Sequence, residues 1–281
     1  MSLKLYYKNE KHIFDVKEVN GIPFLSYPLF ERTGIVKHGF STRLGGVSTG
    51  CWTSMNLSTT RGDDPAHVKR NCELMAEALG VRPEDFTYTH QTHTTNVAVV
   101  KEEDRGSHFS ETDGMVTDVP GICLVTFYAD CVPLYFVDPV RRVIGLSHSG
   151  WRGTVGKMGK VTIESMQSEY GSRPEDILAA IGPSICQDCY EVSEDVIERF
   201  CQVFDENLYP MLFYRKENGR YQLNLWEANR QILLEAGILR EHMAVTNVCT
   251  HCNPEVLFSH RRTGNKRGNL SAFLALNENM E

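Results

Sequence analysis

The 281-residue sequence has no long apolar run, so none of it reads as a segment that crosses a bilayer, and a membrane is not expected as a partner. Its opening residues, MSLKLYYK, lack the apolar stretch of a secretory signal, and the expected location is cytoplasmic. Positive charge is also scarce: 29 Lys and Arg stand against 36 Asp and Glu, a formal net charge of -7. Proteins that grip nucleic acid by neutralising phosphates need the opposite balance, which excludes nucleic acid as the expected partner. The basic pairs Arg261-Arg262 and Lys266-Arg267 can still meet a small anion. No internal repeat, low-complexity tract or Pro- or Ser-rich linker interrupts the chain, so one compact domain over residues 1–281 is the simplest expectation. Nine cysteines are an odd number, which rules out a complete disulfide framework. In a reducing compartment they are expected as thiols, metal ligands or nucleophiles.

Apolar, β-branched runs at residues 122–128, 133–137, 143–146, 177–181, 243–248 and 270–276 predict strands. Asp138-Pro139 is a turn signal and makes the second and third of these a hairpin. Helix signals lie between the strands. Asp64 and Pro65 open a helix that runs to Leu79 and stops at Gly80. Residues 154–170 form a second, ended by Gly171. Ser193 caps a third, with Glu194 and Asp195 in its first turn. Asn224 and Glu227 resemble a capping box before residues 226–236 and Gly237. Strands and helices mix without strict alternation, which favours a layered α+β fold with mixed sheets over a Rossmann fold or barrel.

Polar residues crowd against strand ends in four segments: HQTHTTNV at 90–97, ADCVPL at 129–134, SHSGWRG at 147–153 and HGFSTRLGGVS at 38–48. Cys131 precedes one hairpin strand and His148 follows the other, so the two ends lie side by side. His93 sits in another strand-to-turn segment and can supply a third ligand. Two histidines and one cysteine suit zinc, and three protein ligands leave the fourth tetrahedral position open, as catalytic sites require. Each residue has an ordinary alternative. A histidine at a strand end is commonly a satisfied polar group, and a cysteine in an apolar strand is commonly just buried. A second alternative makes Cys131 a nucleophile with His148 as its base; a third is a non-enzymatic, zinc-stabilised binding module.

The same motifs, in order, resemble the YfiH family, also called laccase-domain or polyphenol oxidoreductase proteins. The resemblance runs from about residue 30 and includes HGFSTRLGGVS, QTH at 91–93, TDGMVT at 112–117, ADCVPL, HSGWRGT at 148–154, IGPSI at 181–185, YEV at 190–192 and FSHRR at 258–262. It implies a layered α/β/β/α sandwich with mixed sheets. It also implies purine nucleoside phosphorylase activity on adenosine, inosine and methylthioadenosine, with accompanying adenosine deaminase activity. His93, Cys131 and His148 occupy the family's zinc-ligand positions, for one ion. The chain departs from the family pattern at Thr94, where glycine is usual, and at His260, where tyrosine is frequent; both bear on loop shape and substrate preference.

Copper, the family's older assignment, is disfavoured because multicopper oxidases need paired His-x-His motifs, and none occurs. No His-x-Glu occurs either, so deamination cannot use the cytidine-deaminase framework. Phosphorolysis needs phosphate held beside C1′ of the ribose, and arginine forks suit that task. Arg43, Arg61, Arg152 and Arg261 are the candidates, each with a surface salt bridge as its alternative. Asp130 can orient a water or a ligating histidine. Gln91, Asn56 and Asp113 can hydrogen-bond ribose or base, or serve structure. Gly45, Gly46 and Ser48 fit either an anion cradle or a tight turn. Cys186-x-x-Cys189 and Cys249-x-x-Cys252 invite a zinc-ribbon reading, but the gap between them is far longer than ribbon spacing. Reduced, buried thiols are expected there.

Overall fold

Strand Leu270–Leu276 is buried along its whole length because its sheet is covered on both faces. Leu270, Ala272, Leu274 and Leu276 point into one apolar core, while Phe273 and Ala275 point into another. This two-residue alternation, with both phases apolar, is why such a strand reads as a continuous hydrophobic run. The computed structural model describes residues 3–278. In it Leu270–Leu276 is the centre of a seven-stranded sheet, ordered Asp15–Val19, Ile22–Ser26, Val36–Ser41, Leu270–Leu276, Cys123–Tyr128, Phe86–Thr89 and His108–Phe109. A six-stranded sheet runs Met243–Val245, Leu178–Ile181, Val132–Asp138, Val143–Ser149, Gly114–Thr117 and Val97–Val99. Both contain parallel and antiparallel pairs. A third, three-stranded sheet comprises Glu191–Val192, Tyr221–Leu223 and Phe213–Arg215.

The two large sheets share a core in which Phe40, Leu124 and Leu274 of one meet Tyr135, Ile144 and Leu146 of the other. Helix Pro65–Leu79 covers the outer face of the seven-stranded sheet through Met75, Ala76 and Leu79. Helices Met158–Tyr170, Glu194–Cys201 and Leu225–Glu235 cover the outer face of the other. The result is the expected α/β/β/α order of layers. Among the described residues no helix is long and apolar enough to cross a membrane.

The expected helix boundaries hold at Asp64, whose carboxylate accepts the Ala66 N–H at 2.8 Å, and at Gly80, which is left-handed with φ 68°. Four expectations need correction. Residues 154–170 are not one helix: Trp151–Val155 ends at Gly156, Lys157 turns left-handed at φ 55°, and Met158–Tyr170 follows. The 243–248 strand ends at Val245, and beyond it the Asn247 side chain donates to the carbonyls of Asn9 and Lys11. Ser193 occupies a cap position without a side-chain cap bond, and only half of the Asn224 box forms, through Glu227 N–H to Asn224 Oδ1 at 3.1 Å.

His38, from the HGFSTRLGGVS motif, is part of the core rather than of a site. Its Nε2 accepts the Tyr27 N–H at 2.8 Å, and its ring lies against Tyr27 and Phe30. Burial lowers its pKa to about 4, against an opposing pull from Glu31. A folded pKa below the unfolded value means that stability is fully present above about pH 6.5 and is lost as pH falls toward the folded value. Between about pH 7.5 and 4.5 the loss is expected to be about 2 to 3 kcal/mol. Urea unfolding at both pH values checks this: His38→Gln, which keeps an acceptor but cannot titrate, should lose the corresponding part of the pH dependence.

Candidate metal and substrate site

The hairpin forms as expected, with Val143 opposite Asp138 and His148 opposite Pro133. Its second strand, Val143–Ser149, is longer than its apolar run. His148 therefore lies inside the strand and is buried, rather than following its end. Cys131 stands one residue before Val132–Asp138, diagonal to His148 across the ladder. His93 arrives on the loop after strand Phe86–Thr89. One donor atom from each of His93, Cys131 and His148 lies within 4.8 Å of the other two. Cys131 Sγ is 3.9 Å from His93 Nε2, and the two imidazoles meet edge to face.

Asp113, at the start of TDGMVT, organises this set. Its fully buried carboxylate accepts the backbone N–H groups of Thr92, His93 and Thr94 at 3.1, 3.1 and 2.8 Å. It also accepts the Thr94 hydroxyl at 2.9 Å and His148 Nδ1 at 2.8 Å. Three successive N–H groups converging on one carboxylate hold His93 in the left-handed region, at φ 64°. The bond to His148 Nδ1 fixes the ring so that Nε2 faces the other donors. Thr94 adds a hydroxyl to this hub. Burial works against the Asp113 charge, yet the bonds from His148 and Thr94 hold its pKa down to about 2.

Burial raises the Cys131 thiol, but His148 and then His93 outweigh it and bring it down to about 6. Burial lowers His148, but Cys131 and Asp113 carry it up to about 9. A thiolate between two imidazoles, one backed by a carboxylate, fits a divalent soft-to-borderline cation.

Two cavities meet at these residues, with His93, Ala129, Cys131 and His260 in the walls of both. The larger is a cleft of about 940 Å³ that reaches Arg61, Tyr88, Phe127 and Arg267. The smaller, about 180 Å³, is lined by Trp151, Arg152, Tyr190 and Arg261. The Arg152 guanidinium stacks 4.4 Å from the Trp151 ring, and that of Arg261 stacks 5.1 Å from Tyr190 while donating to the Glu191 carbonyl. Arg61 carries a buried Nε with no partner among the described residues. Arg267, which faces the same cleft, has its pKa lowered to about 10 by burial and by Arg61.

The remaining candidates make structural bonds, although Asp130 borders the small pocket and Gln91 the cleft. Arg43 lines neither cavity; it donates to the carbonyls of Thr53 and Pro254 and lies over Phe258. Gln91 spends its amide on the N–H and carbonyl of Phe127, although it borders the cleft. Asp130 accepts the Thr250 hydroxyl and the Arg261 N–H, both at 2.6 Å, and so ties down the helical turn that presents Arg261. Ser48 and Asn56 share Asp63 in a buried network, and a side chain on Gly46 would strike the Ser54 carbonyl, so this segment is a packed turn. Asp113 as an organiser, Tyr190 and Trp151 as guanidinium platforms, and His260 between the cavities were not assigned these roles from sequence. Their motifs were visible, but the contacts between motifs were not.

Gly150 separates the donors from helix Trp151–Val155. A Cβ there would come 3.0 Å from His93 Cδ2 and 3.1 Å from Cys131 Sγ. Its φ of -72° suits any residue, so Gly150→Ala is expected to leave the unfolding midpoint nearly unchanged. Displacing two donors by a few tenths of an ångström should nonetheless reduce kcat/KM by about ten- to a hundredfold. Parallel kinetics and thermal unfolding check the separation.

A four-layer sandwich with a His2Cys donor set where a central hairpin meets two cavities defines a class of candidate metalloenzyme. Residues 37–277 match the family described as multi-copper polyphenol oxidoreductase laccase. A purine nucleoside phosphorylase from Deinococcus radiodurans is 40% identical over 257 residues, covering 91% of this chain and 94% of that protein. Adenosine deaminase RL5, from an unknown prokaryotic organism, is 35% identical over 237 residues, covering 82% and 90%. The crystal structure of YlmD from Geobacillus stearothermophilus superposes with a TM-score of 0.88 at 34% identity, covering 95% of this chain and 99% of that one. The chain belongs to this laccase-named family.

Proposed function

We propose that the protein is a zinc-dependent purine nucleoside phosphorylase with accompanying adenosine deaminase activity, acting in the cytosol as one catalytic domain over residues 1–281. One observation carries the reading: His93, Cys131 and His148 bring three donors together where a cleft large enough for a nucleoside meets a small, arginine-lined pocket. The names of the relatives support the substrate class, and nine free thiols support a reducing compartment.

His93, Cys131 and His148 would hold the zinc ion, which when bound would supply a Lewis acid beside the two cavities. In phosphorolysis a phosphate oxygen bonds to C1′, the C1′–N9 bond breaks, and its electron pair leaves with the purine. Arg152 and Arg261, held by ring stacking, present guanidinium groups in a pocket of phosphate size beside Cys131. Arg61 and Arg267 form a second cationic wall in the cleft, where negative charge on phosphate or departing base is favoured. Deamination adds water at C6 of the adenine ring and releases ammonia. Asp130 takes a positioning role, through the helical turn that presents Arg261.

A second reading has its own support. Asp113, His148 and Cys131 form a carboxylate–imidazole–thiol series with the thiol pulled down and the imidazole raised, as in a cysteine nucleophile. The ring of His93 on the same sulfur favours the metal. Chromatography of adenosine, inosine and methylthioadenosine with and without phosphate tests the proposal. Adenine or hypoxanthine should appear only with phosphate, and inosine should form from adenosine without it. Base release independent of phosphate would make the enzyme a hydrolase, and no turnover of any purine nucleoside would favour a binding module.

A further inference from the structure

We propose that Cys186, Cys189, Cys249 and Cys252 bind a structural zinc ion, at a site sharing no residue with the donor set around Cys131. The two Cys-x-x-Cys pairs lie 63 residues apart in sequence, yet all four sulfurs fall within 4.8 Å of one another. Tetrahedral zinc with bonds of about 2.3 Å sets its sulfurs about 3.8 Å apart, and Cys189 and Cys252 are already 3.5 Å apart. A disulfide would need about 2 Å, so the four thiols converge on a common centre rather than pairing off.

The backbone is shaped for thiolates. Each pair bends in a tight turn, closed at the first by Cys189 N–H to the Cys186 carbonyl at 3.1 Å. The Cys186 N–H donates to Cys249 Sγ at 3.2 Å, a bond that favours a charged sulfur. Lys8, anchored on Asp188 at 2.7 Å, brings a positive charge close enough to interact with Cys186 and Cys252. That cation suits a tetrathiolate site, whose net charge with zinc is negative. Cys186 and Cys249 are buried, and Cys189 and Cys252 are partly exposed, which leaves an ion a way in.

The position gives the ion a purpose. Ile185 and Tyr190, which flank the first pair, line the arginine pocket. Thr250, inside the second pair, donates to Asp130, the neighbour of Cys131. An ion joining the two turns fixes that pocket wall. Such a clasp calls for a redox-inert metal that closes four ligands, which favours zinc over iron.

Metal analysis of the purified full-length protein tests the inference. Two zinc ions per chain are expected in the wild type, and one each in Cys189→Ser, Cys252→Ser and Cys131→Ala. Retention of the wild-type content in Cys189→Ser, or iron in place of the second zinc, would overturn it. If the serine variants do not fold, Cys131→Ala still holds all four thiols. Loaded with cobalt, it should show the strong charge-transfer absorption and tetrahedral d–d bands of a four-sulfur site, and their absence would also overturn the proposal. Failure of the Cys131 site to bind metal would leave the ion tied to Cys189 unaffected, so the two readings fail separately.

Discussion

Asp113→Asn is expected to weaken metal binding by about ten- to a hundredfold and to lower kcat/KM at least in step. The substitution is nearly isosteric, so the effect comes from chemistry rather than volume. Five donors converge on the carboxylate: three backbone N–H groups, the Thr94 hydroxyl and His148 Nδ1. An asparagine offers one acceptor oxygen, and its amide NH2 must face donors it cannot bond. The His93 loop then loses the anion that holds it left-handed, and His148 loses the partner that fixes its tautomer. Breaking buried, charge-assisted bonds of this kind should also cost about 2 to 4 kcal/mol of stability. Isothermal titration with zinc and urea unfolding separate the two effects. A variant with wild-type zinc affinity and reduced stability would show Asp113 to be structural only. Thr94→Gly, which removes one of the five bonds, should fall between Asp113→Asn and the wild type.

The layers of the fold were legible because the central strands are long and apolar on both faces. Runs at 122–128, 133–137 and 270–276 coincide closely with strands Cys123–Tyr128, Val132–Asp138 and Leu270–Leu276. Strands with less contrast escaped notice. Asp15–Val19 is an edge strand with exposed charges, and Phe86–Thr89 carries two threonines. The break at Gly156-Lys157 was hidden because Gly156 lies inside a helical pattern. The glycine itself is required by tertiary packing: a Cβ there would come 2.5 Å from Thr95 Cγ2.

The three donors were legible for two reasons, their motifs and the hairpin that sets Cys131 beside His148. What surrounds them was not, because it depends on which motif meets which. Asp113 and His148 are 35 residues apart, and Asp130 and Arg261 are 131 apart. The cysteine pairs show the same limit most sharply. Long spacing argued against a shared site, but the intervening chain leaves with strand Glu191–Val192 and helix Glu194–Cys201 and returns after Met243–Val245, closing the gap. Sequence spacing measures only the local routes to a metal site. At Arg43 a glycine-rich motif suggested phosphate binding, while the fold uses that guanidinium to tie Thr53 to Pro254.

Removal of metal by a strong chelator is expected to reduce phosphorolysis by about a thousandfold or more, with recovery on adding zinc, since Lewis-acid stabilisation is worth several kcal/mol. Cys131→Ala should do the same without recovery. The single and double variants at His93, Cys131 and His148 should then all sit near one floor, because the donors act as a unit. The alternative predicts a different pattern. If Cys131 were a nucleophile with His148 and Asp113, chelation would leave activity intact, and His93→Ala, outside that series, would cost little. Thiol alkylation does not distinguish the two, since a thiolate near pKa 6 reacts in either case. The discriminating result is therefore activity after chelation, together with the position of His93→Ala relative to Cys131→Ala. Equal losses place His93 and Cys131 on the same ion, whereas a small loss in His93→Ala with activity surviving the chelator would transfer the chemistry to the sulfur itself.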